Sequence, residues 1–180
     1  MNNLTTCAIN FNLPPARPCM RKMRFLSMFL FFLVFSSACF SQGGKLVKLE
    51  GLQQQIQSET EQIQVINFWA TWCGPCLKEL PLFEKLGSER KDLKIKLVSM
   101  DMDLDPDPEK VRKFVIRKKL QSEVLILDEQ NPDKWIDKID KAWSGALPAT
   151  LILNNKNGKR KFVERELHEG DLEKLIAEVQ

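Results

Sequence analysis

The stretch Trp72-Cys73-Gly74-Pro75-Cys76 decides the fold of this 180-residue chain, because it joins an apolar run at residues 65–70 to a helix-like segment at residues 77–83. Two cysteines three positions apart at the start of a helix lie close enough to form a small disulfide loop, and the helix N-terminus stabilises a thiolate there. Exchange between dithiols and disulfides needs one accessible sulfur to attack and a second to resolve the mixed disulfide. Cys73 and Cys76 supply that pair.

An export signal is predicted upstream of this motif. The basic cluster Arg21-Lys22-Met23-Arg24 precedes an apolar core at residues 25–35 and small residues at 36–38. This order is typical of a secretory signal, and a core of eleven residues is short for a membrane span. A buried core helix is the alternative interpretation.

The signal divides the chain into two parts. Residues 1–41 are assigned to an upstream segment and the export signal, with translation starting at Met20 or Met23, where the basic region begins. Residues 42–180 are long enough for one ordinary domain. No internal repeat or second domain is predicted.

Three fates of the signal stay open. Cleavage after Ala38 or Ser41 satisfies the small-residue spacing of signal peptidase sites. Lipidation at Cys39 is less well supported, because Ser36 stands where an apolar residue is expected. Retention as an uncleaved anchor is the third fate, so membrane attachment is expected only if the segment is retained or lipidated.

Removal of residues 1–41 changes both the cysteine content and the charge. Cys73 and Cys76 are then the only cysteines left, and an exported dithiol meets a compartment in which such pairs are redox-active or oxidised. The 27 Lys and Arg fall by four, to 23 against 24 Asp and Glu, so the net charge is near −1. The net positive charge of the full chain therefore comes from residues 1–41, and it does not support a nucleic-acid partner for residues 42–180.

Strand-like and helix-like segments alternate along residues 42–180, which predicts an α/β fold with a mainly parallel central sheet and flanking helices. A C-terminal antiparallel hairpin around residues 155–158 closes it. The predicted strands are residues 46–49, 63–70, 95–100, 124–127, 150–153 and 161–163. The predicted helices are residues 51–58, as a solvated surface helix, 73–88, kinked at Pro81, 107–120, 131–143 and 170–179.

The acidic run at residues 101–108 invites a calcium interpretation, since alternating Asp side chains match the first ligands of an EF-hand loop. Pro106 and Arg112 occupy the positions where that loop needs Gly and Glu, so the site is rejected. A turn followed by a helix capped by Asp107, with Pro108 in its first turn, explains the same residues.

Residues 67–81, Asn67-Phe68-Trp69-Ala70-Thr71-Trp72-Cys73-Gly74-Pro75-Cys76-Leu77-Lys78-Glu79-Leu80-Pro81, resemble the thioredoxin superfamily, specifically its exported TlpA/ResA-like branch. The resemblance extends over residues 46–180 and includes Gly145-Ala146-Leu147-Pro148-Ala149-Thr150 before the hairpin. It implies a thioredoxin-like fold and a thiol-disulfide oxidoreductase active in cell redox homeostasis. No cofactor and no metal are expected.

The same resemblance implies a substrate-binding surface. It places a cis peptide bond between Leu147 and Pro148 beside the disulfide, where a plain turn proline is the alternative. The backbone near Leu147 is then expected to pair with an extended substrate segment and hold its disulfide over Cys73. Trp72 supplies an apolar surface there, or packs without contacting substrate.

Glu79 is the third candidate catalytic residue. Cytosolic thioredoxins carry a buried Asp where this chain has Asn67, whose amide cannot accept the proton of Cys76 as a carboxylate would. The TlpA/ResA-like branch has a Glu at the position of Glu79, and helical spacing places this residue at the boundary between core and water. A solvent-exposed Glu favoured by the helix dipole is the alternative.

We predict a periplasmic location and net reduction of disulfides in extracytoplasmic proteins. Gly74 and Pro75 carry no charge and no His lies between the cysteines, so the Cys73 thiolate is less favoured than in strong oxidants. A membrane thiol reductase is the expected electron donor.

Three rival functions remain open at this point. A thioredoxin-like peroxide reductase is disfavoured because no third cysteine remains after removal of the leader. A metal-binding module is disfavoured because two Cys and the lone His168, expected at the surface, fall short of four zinc ligands. A non-catalytic binding module with an inert disulfide is the third.

Overall fold

Six strands form one mixed sheet in the computed structural model of the protein, which describes residues 43–60 and 62–180. The sheet order is β1-β4-β3-β2-β5-β6. The strands are β1 (Lys45–Val47), β2 (Ile63–Trp69), β3 (Leu93–Ser99), β4 (Glu123–Leu127), β5 (Ala149–Asn154) and β6 (Lys159–Val163). The predicted start sites, export signal and Cys39 lie outside the described residues.

Strand direction matches the predicted topology. Strands β1 to β4 pair in parallel, β5 pairs antiparallel with β2, and β6 pairs antiparallel with β5. Parallel strands need crossover helices, whereas the last two strands need only the tight turn after Asn154. The expectation of a thioredoxin-like α/β fold with a mainly parallel sheet and a closing hairpin is confirmed.

Four helices flank the sheet, and their ends follow from local sequence. The side chain of Asp107 accepts a hydrogen bond from the Glu109 amide at 3.0 Å, and Pro108 occupies the first turn, as predicted. That helix ends at Lys118, and the next residue, Lys119, adopts a left-handed conformation with φ 56°. The helices are α1 (Leu49–Ser58), α2 (Gly74–Glu89), α3 (Pro108–Lys118) and α4 (Asp171–Val179).

The buried residues form two clusters, one on each face of the sheet. Successive side chains of β2 point to opposite faces, so Val65 and Trp69 enter one cluster and Ile66 and Phe68 the other. The first cluster packs beneath α2, α3 and α4; the second packs beneath α1 and the segment before β5. Because β2 is covered on both faces, its sequence is almost continuously apolar.

The segment at residues 131–143 is not the predicted α-helix. It forms two short 3-10 turns, Pro132–Lys134 and Ile136–Lys138. Asn131 adopts a left-handed conformation with φ 53°, and the side chain of Asp140 accepts a hydrogen bond from the Ala142 amide at 2.9 Å. Such local side-chain bonds compete with helix formation.

The apolar residues of this segment nevertheless pack in the core, as predicted. Trp135, Ile136, Ile139 and Trp143 are all buried, whereas Ala142 is exposed, contrary to its place in the stripe. The predicted burial of these four residues was therefore correct, but the prediction of an α-helix was wrong.

Boundaries differ at the N-terminal end of the domain. The first strand is shorter than predicted, because α1 already begins at Leu49. The predicted solvated helix is only partly solvated, since Leu49 and Leu52 are buried against the sheet.

Helix α2 continues through Pro81 to Glu89. None of the helices described in residues 43–60 and 62–180 is long and apolar enough to cross a membrane.

Replacing Trp143 by Ala is expected to lower the free energy of unfolding by about 3–5 kcal/mol, because the substitution empties a buried aromatic site. Its ring lies 4.5 Å from Phe68 and 5.9 Å from Phe162, centroid to centroid. The control is Ile116→Ala on α3, whose side chain is 58% exposed, with an expected change within about 0.5 kcal/mol. Urea unfolding measures both; equal effects would contradict the assigned core.

Candidate active site

The CxxC motif lies where β2 ends and α2 begins. The Met100 amide donates a hydrogen bond to the Trp69 carbonyl at 2.8 Å, which joins the ends of β2 and β3. The Cys73 amide donates to the Ala70 carbonyl at 3.1 Å and closes a turn. These bonds hold Cys73 at the N-cap of α2, where helix amides and the helix dipole favour negative charge.

Cys73 and Cys76 form a disulfide, with their Cα atoms 5.3 Å apart. Cys73 retains 6% exposure, whereas Cys76 is fully buried. Trp72, immediately before the pair, is 54% exposed, which is unusual for so large an apolar side chain. The geometry thus separates one sulfur near the surface from one within the core.

Glu79 is buried, with 1% exposure, so its predicted place at the boundary between core and water was wrong. One turn after Cys76, its side chain turns under the helix and meets two donors. Asn67 Nδ2 donates to Oε1 at 2.7 Å, and the Leu167 amide donates to Oε2 at 2.7 Å. Helical spacing could not reveal these donors, because they come from β2 and from the segment before α4.

The surroundings of Glu79 raise the pKa of its carboxyl group. Burial raises the pKa of Glu79 from the ordinary 4.5 to about 7, and the nearby Glu166 adds to the rise. The hydrogen bonds from Leu167 and Asn67, and the charge of Arg165, act in the opposite direction. A carboxyl group with a pKa near 7 can take up or release a proton at neutral pH.

Asn67 connects Glu79 to the strand that follows Pro148. Its Nδ2 atom also lies 3.1 Å from the Thr150 hydroxyl oxygen, while its buried Oδ1 atom has no hydrogen-bond partner in the described part of the chain, residues 43–60 and 62–180. Thr150 and the Leu167 amide were missed by sequence reasoning, because neither has a recognisable motif. The strand register brings Thr150 to Asn67, and the chain path before α4 brings the Leu167 amide to Glu79.

The structure also brings Asp101 to this end of the sheet. Its carboxylate is 4% exposed and accepts hydrogen bonds from the Thr71 amide at 3.1 Å and from the Thr71 hydroxyl. The Ser99 hydroxyl donates to it at 2.7 Å. Sequence reasoning considered Asp101 only as a calcium ligand and missed this contact with the CxxC loop.

The peptide bond between Leu147 and Pro148 is cis, as the family resemblance implies. Ala149 pairs with Phe68, so the preceding Pro148 lies beside the end of β2 that leads to the CxxC motif. Pro148 is buried, and Leu147 is partly buried against both core clusters. The predicted substrate-binding residues Leu147 and Pro148 therefore lie at the same end of the sheet as Cys73.

His168 is exposed, as predicted. Within residues 43–60 and 62–180, no three His, Cys, Asp or Glu side chains are grouped so that they could hold a metal ion.

Comparison with known proteins places this geometry in a family. The sequence profile described as Thioredoxin matches residues 45–142, more than half of the chain. The chain belongs to the thioredoxin family. The family assignment covers the CxxC motif, Glu79 and Asp101, but the matched region ends before Pro148.

Curated relatives include bacterial proteins named as a thiol-disulfide oxidoreductase and as a thioredoxin-like protein. The chain is 31% identical over 109 residues to the thiol-disulfide oxidoreductase ResA of Halalkalibacterium halodurans, covering 61% of this chain and 57% of that protein. It is 32% identical over 130 residues to the thioredoxin-like protein YneN of Bacillus subtilis, covering 72% and 69% respectively.

Among solved structures, a thioredoxin-related protein from Neisseria meningitidis serogroup B superposes with a TM-score of 0.58. The superposition covers 68% of this chain and 87% of that one, at 23% identity. This likeness supports the fold.

The raised pKa of Glu79 predicts a pH-dependent stability. Because the folded protein holds this proton more tightly than the unfolded chain, the free energy of unfolding falls as pH rises from about 4.5 to about 7. The full loss is about 3 kcal/mol. Glu79→Gln should remove this component, whereas Glu84→Gln on the same helix should keep it. Urea unfolding at several pH values tests this, and an unchanged slope in Glu79→Gln would contradict it.

Proposed function

We propose that the chain is an exported thiol-disulfide oxidoreductase that reduces disulfides of extracytoplasmic proteins. The observation that carries the proposal is the Cys73–Cys76 disulfide at the N-terminus of α2, with Cys73 nearer the surface and Glu79 buried one turn after Cys76. Membership of the thioredoxin family and relatives named thiol-disulfide oxidoreductase support it.

In the reduced protein, the Cys73 thiolate attacks one sulfur of a partner disulfide. A mixed disulfide forms between Cys73 and that sulfur, and the other partner sulfur leaves as a thiolate. The Cys76 thiolate then attacks the Cys73 sulfur, which forms the internal disulfide and releases the second partner thiol. Two electrons thus pass to the partner.

Glu79 assists the second step by accepting the proton of the Cys76 thiol. Cys76 is fully buried, so solvent is poorly placed to take that proton. The pKa of about 7 suits Glu79 to this task at neutral pH, because the carboxylate is then substantially populated yet basic enough to accept a proton. Asn67 holds the carboxylate in place without competing for the proton.

Substrate binding is assigned to the surface around Cys73. Trp72 offers an exposed apolar ring, and the backbone at Leu147, before the cis Pro148, is available for pairing with an extended segment of the partner. This arrangement recognises main chain more than side chains, which suits an enzyme with several protein substrates.

The reducing direction follows from the surroundings of Cys73. Gly74 and Pro75 bring no positive charge to the motif, so the thiolate is stabilised mainly by the helix N-terminus. A weakly stabilised reduced form corresponds to a low reduction potential. Continuous turnover then requires a dithiol donor, and for a protein exported through the signal at residues 21–38 a membrane thiol reductase meets that need.

Replacing Cys73 by Ala is expected to abolish reduction of a model protein disulfide with dithiothreitol as donor, because no accessible thiolate remains. Cys76→Ser should instead accumulate the mixed disulfide, detectable by non-reducing electrophoresis. Glu79→Gln should slow release of the reduced partner by roughly 100-fold, the lower end of the usual range for general base catalysis.

The control for this series is Glu84→Gln, because Glu84 lies on the same helix but accepts hydrogen bonds from the Gln121 and Ser122 amides. It should retain wild-type rates. Activity in Cys73→Ala would refute the catalytic assignment, and an inactive wild type would favour a binding module. Peroxide consumption without protein disulfide reduction would identify a peroxide reductase.

The reduction potential of the Cys73–Cys76 disulfide is expected to lie near that of reducing thioredoxins, about −270 mV, rather than near the strong oxidant value of about −120 mV. Equilibration with a glutathione or dithiothreitol buffer, read out by thiol trapping, measures it. A potential near the oxidant value would reverse the proposed direction while leaving the exchange chemistry intact.

A further inference from the structure

The buried carboxylate of Asp101 has no role in the chemistry proposed above. It lies just after β3, with 4% exposure, and no ion pair joins it to a Lys or Arg within residues 43–60 and 62–180. A buried carboxylate without a cation is unfavourable unless hydrogen bonds replace its lost hydration. The groups that donate hydrogen bonds to Asp101 therefore indicate its structural role.

Two of these donors belong to Thr71, in the loop that carries the CxxC motif, and the third belongs to Ser99 at the end of β3. The Thr71 amide lies 3.1 Å from both carboxylate oxygens, and the Thr71 hydroxyl donates to Oδ1. The Ser99 hydroxyl donates to Oδ2 at 2.7 Å. Hydrogen bonds to an ionised acceptor are stronger than neutral ones, so Asp101 binds Thr71 at two points.

Thr71 stands two residues before Cys73, in a loop with few other restraints. The carbonyls of Trp69 and Ala70 are held by the Met100 and Cys73 amides, respectively. Thr71 is the next residue along the chain, and after it Trp72 extends into solvent. The contact with Asp101 is therefore the last side-chain anchor before the attacking sulfur.

We infer that Asp101 is a positioning residue that acts through Thr71 to hold Trp72 and Cys73 in their reactive arrangement. The inference rests on the proposed function in one respect: the expected effect of misplacing Cys73 is slower exchange with partner disulfides. Sub-ångström displacement of a reacting group is enough to slow a reaction severalfold or more.

A second consequence is electrostatic. The negative charge of Asp101 is held against Thr71, two residues before the sulfur that becomes a thiolate, and like charges oppose one another. It should therefore disfavour the reduced form and lower the reduction potential. A residue that only filled space would leave the potential unchanged when its charge alone was removed.

The test compares Asp101→Ala, which removes the acceptor, with Asp101→Asn, which keeps one oxygen for Thr71 but removes the charge. Alkylation of Cys73 by iodoacetamide in the reduced Cys76→Ser protein, followed by peptide mass spectrometry, reports the attacking sulfur directly. Asp101→Ala should change the alkylation rate at least fivefold, while Asp101→Asn should stay within about twofold to threefold of the parent. In proteins with both cysteines, Asp101→Asn should show a higher reduction potential.

Two further variants provide a second probe of the contact and a matched control. Thr71→Val deletes the hydroxyl donor but keeps the amide, so it should change the alkylation rate in the same direction as Asp101→Ala, to a smaller extent. Asp107→Ala is the matched control: it removes another Asp of the same connection, one that caps α3 and does not contact Thr71. It should leave both the alkylation rate and the potential unchanged.

The outcomes separate the two proposals. Equal alkylation rates in the parent, Asp101→Ala and Thr71→Val would overturn the positioning role, as would equal changes in Asp101→Ala and Asp107→Ala. If Asp101→Ala fails to fold, Thr71→Val decides. Alkylation does not require disulfide reductase activity, so an inactive wild type would refute the proposed function without obscuring the behaviour of Asp101.

Discussion

The burial of one carboxyl group beneath the redox helix organises this end of the molecule. Glu79 can lie in the core only because Asn67 and the Leu167 amide replace its lost hydration. These partners come from β2 and from the segment before α4, and Asn67 continues the contacts to Thr150 on β5. The sheet, the helix and the C-terminal segment must therefore be assembled together before Glu79 has both of its hydrogen-bond donors.

Asp101 imposes a similar requirement on the residues that precede the CxxC motif. Its hydrogen bonds tie the end of β3 to the residues that follow β2, and the adjacent parallel strands make that reach short. Two buried carboxyl groups thus contribute hydrogen bonds at this end of the sheet. The Glu79 carboxylate accepts from Asn67 and Leu167, whereas the Asp101 carboxylate accepts from Thr71 and Ser99.

Much of this architecture could be predicted from the sequence because it depends on local patterns. The apolar run of β2, the helix cap at Asp107 and the hairpin turn each reflect constraints within a few residues, and family resemblance identified the cis bond before Pro148. The burial of Glu79 and the role of Asp101 could not be predicted in this way. Both depend on donors distant in sequence, whereas helical spacing describes one element at a time. The 3-10 turns around Trp135 were missed for a related reason. Apolar spacing predicts which residues are buried, whereas hydrogen bonds between side chains and the backbone favour 3-10 turns over an α-helix in this segment.

The sheet order leaves β1 and β6 at its two edges. Open edges can pair with extended segments of other chains and so seed aggregation. Here β1 is only three residues long, and β6 begins with Lys159, Arg160 and Lys161, whose charges disfavour a further strand. A sheet with such edges resists the addition of a strand from another chain, which agrees with assigning the proposed pairing with a partner segment to the backbone beside the cis proline and not to an open edge.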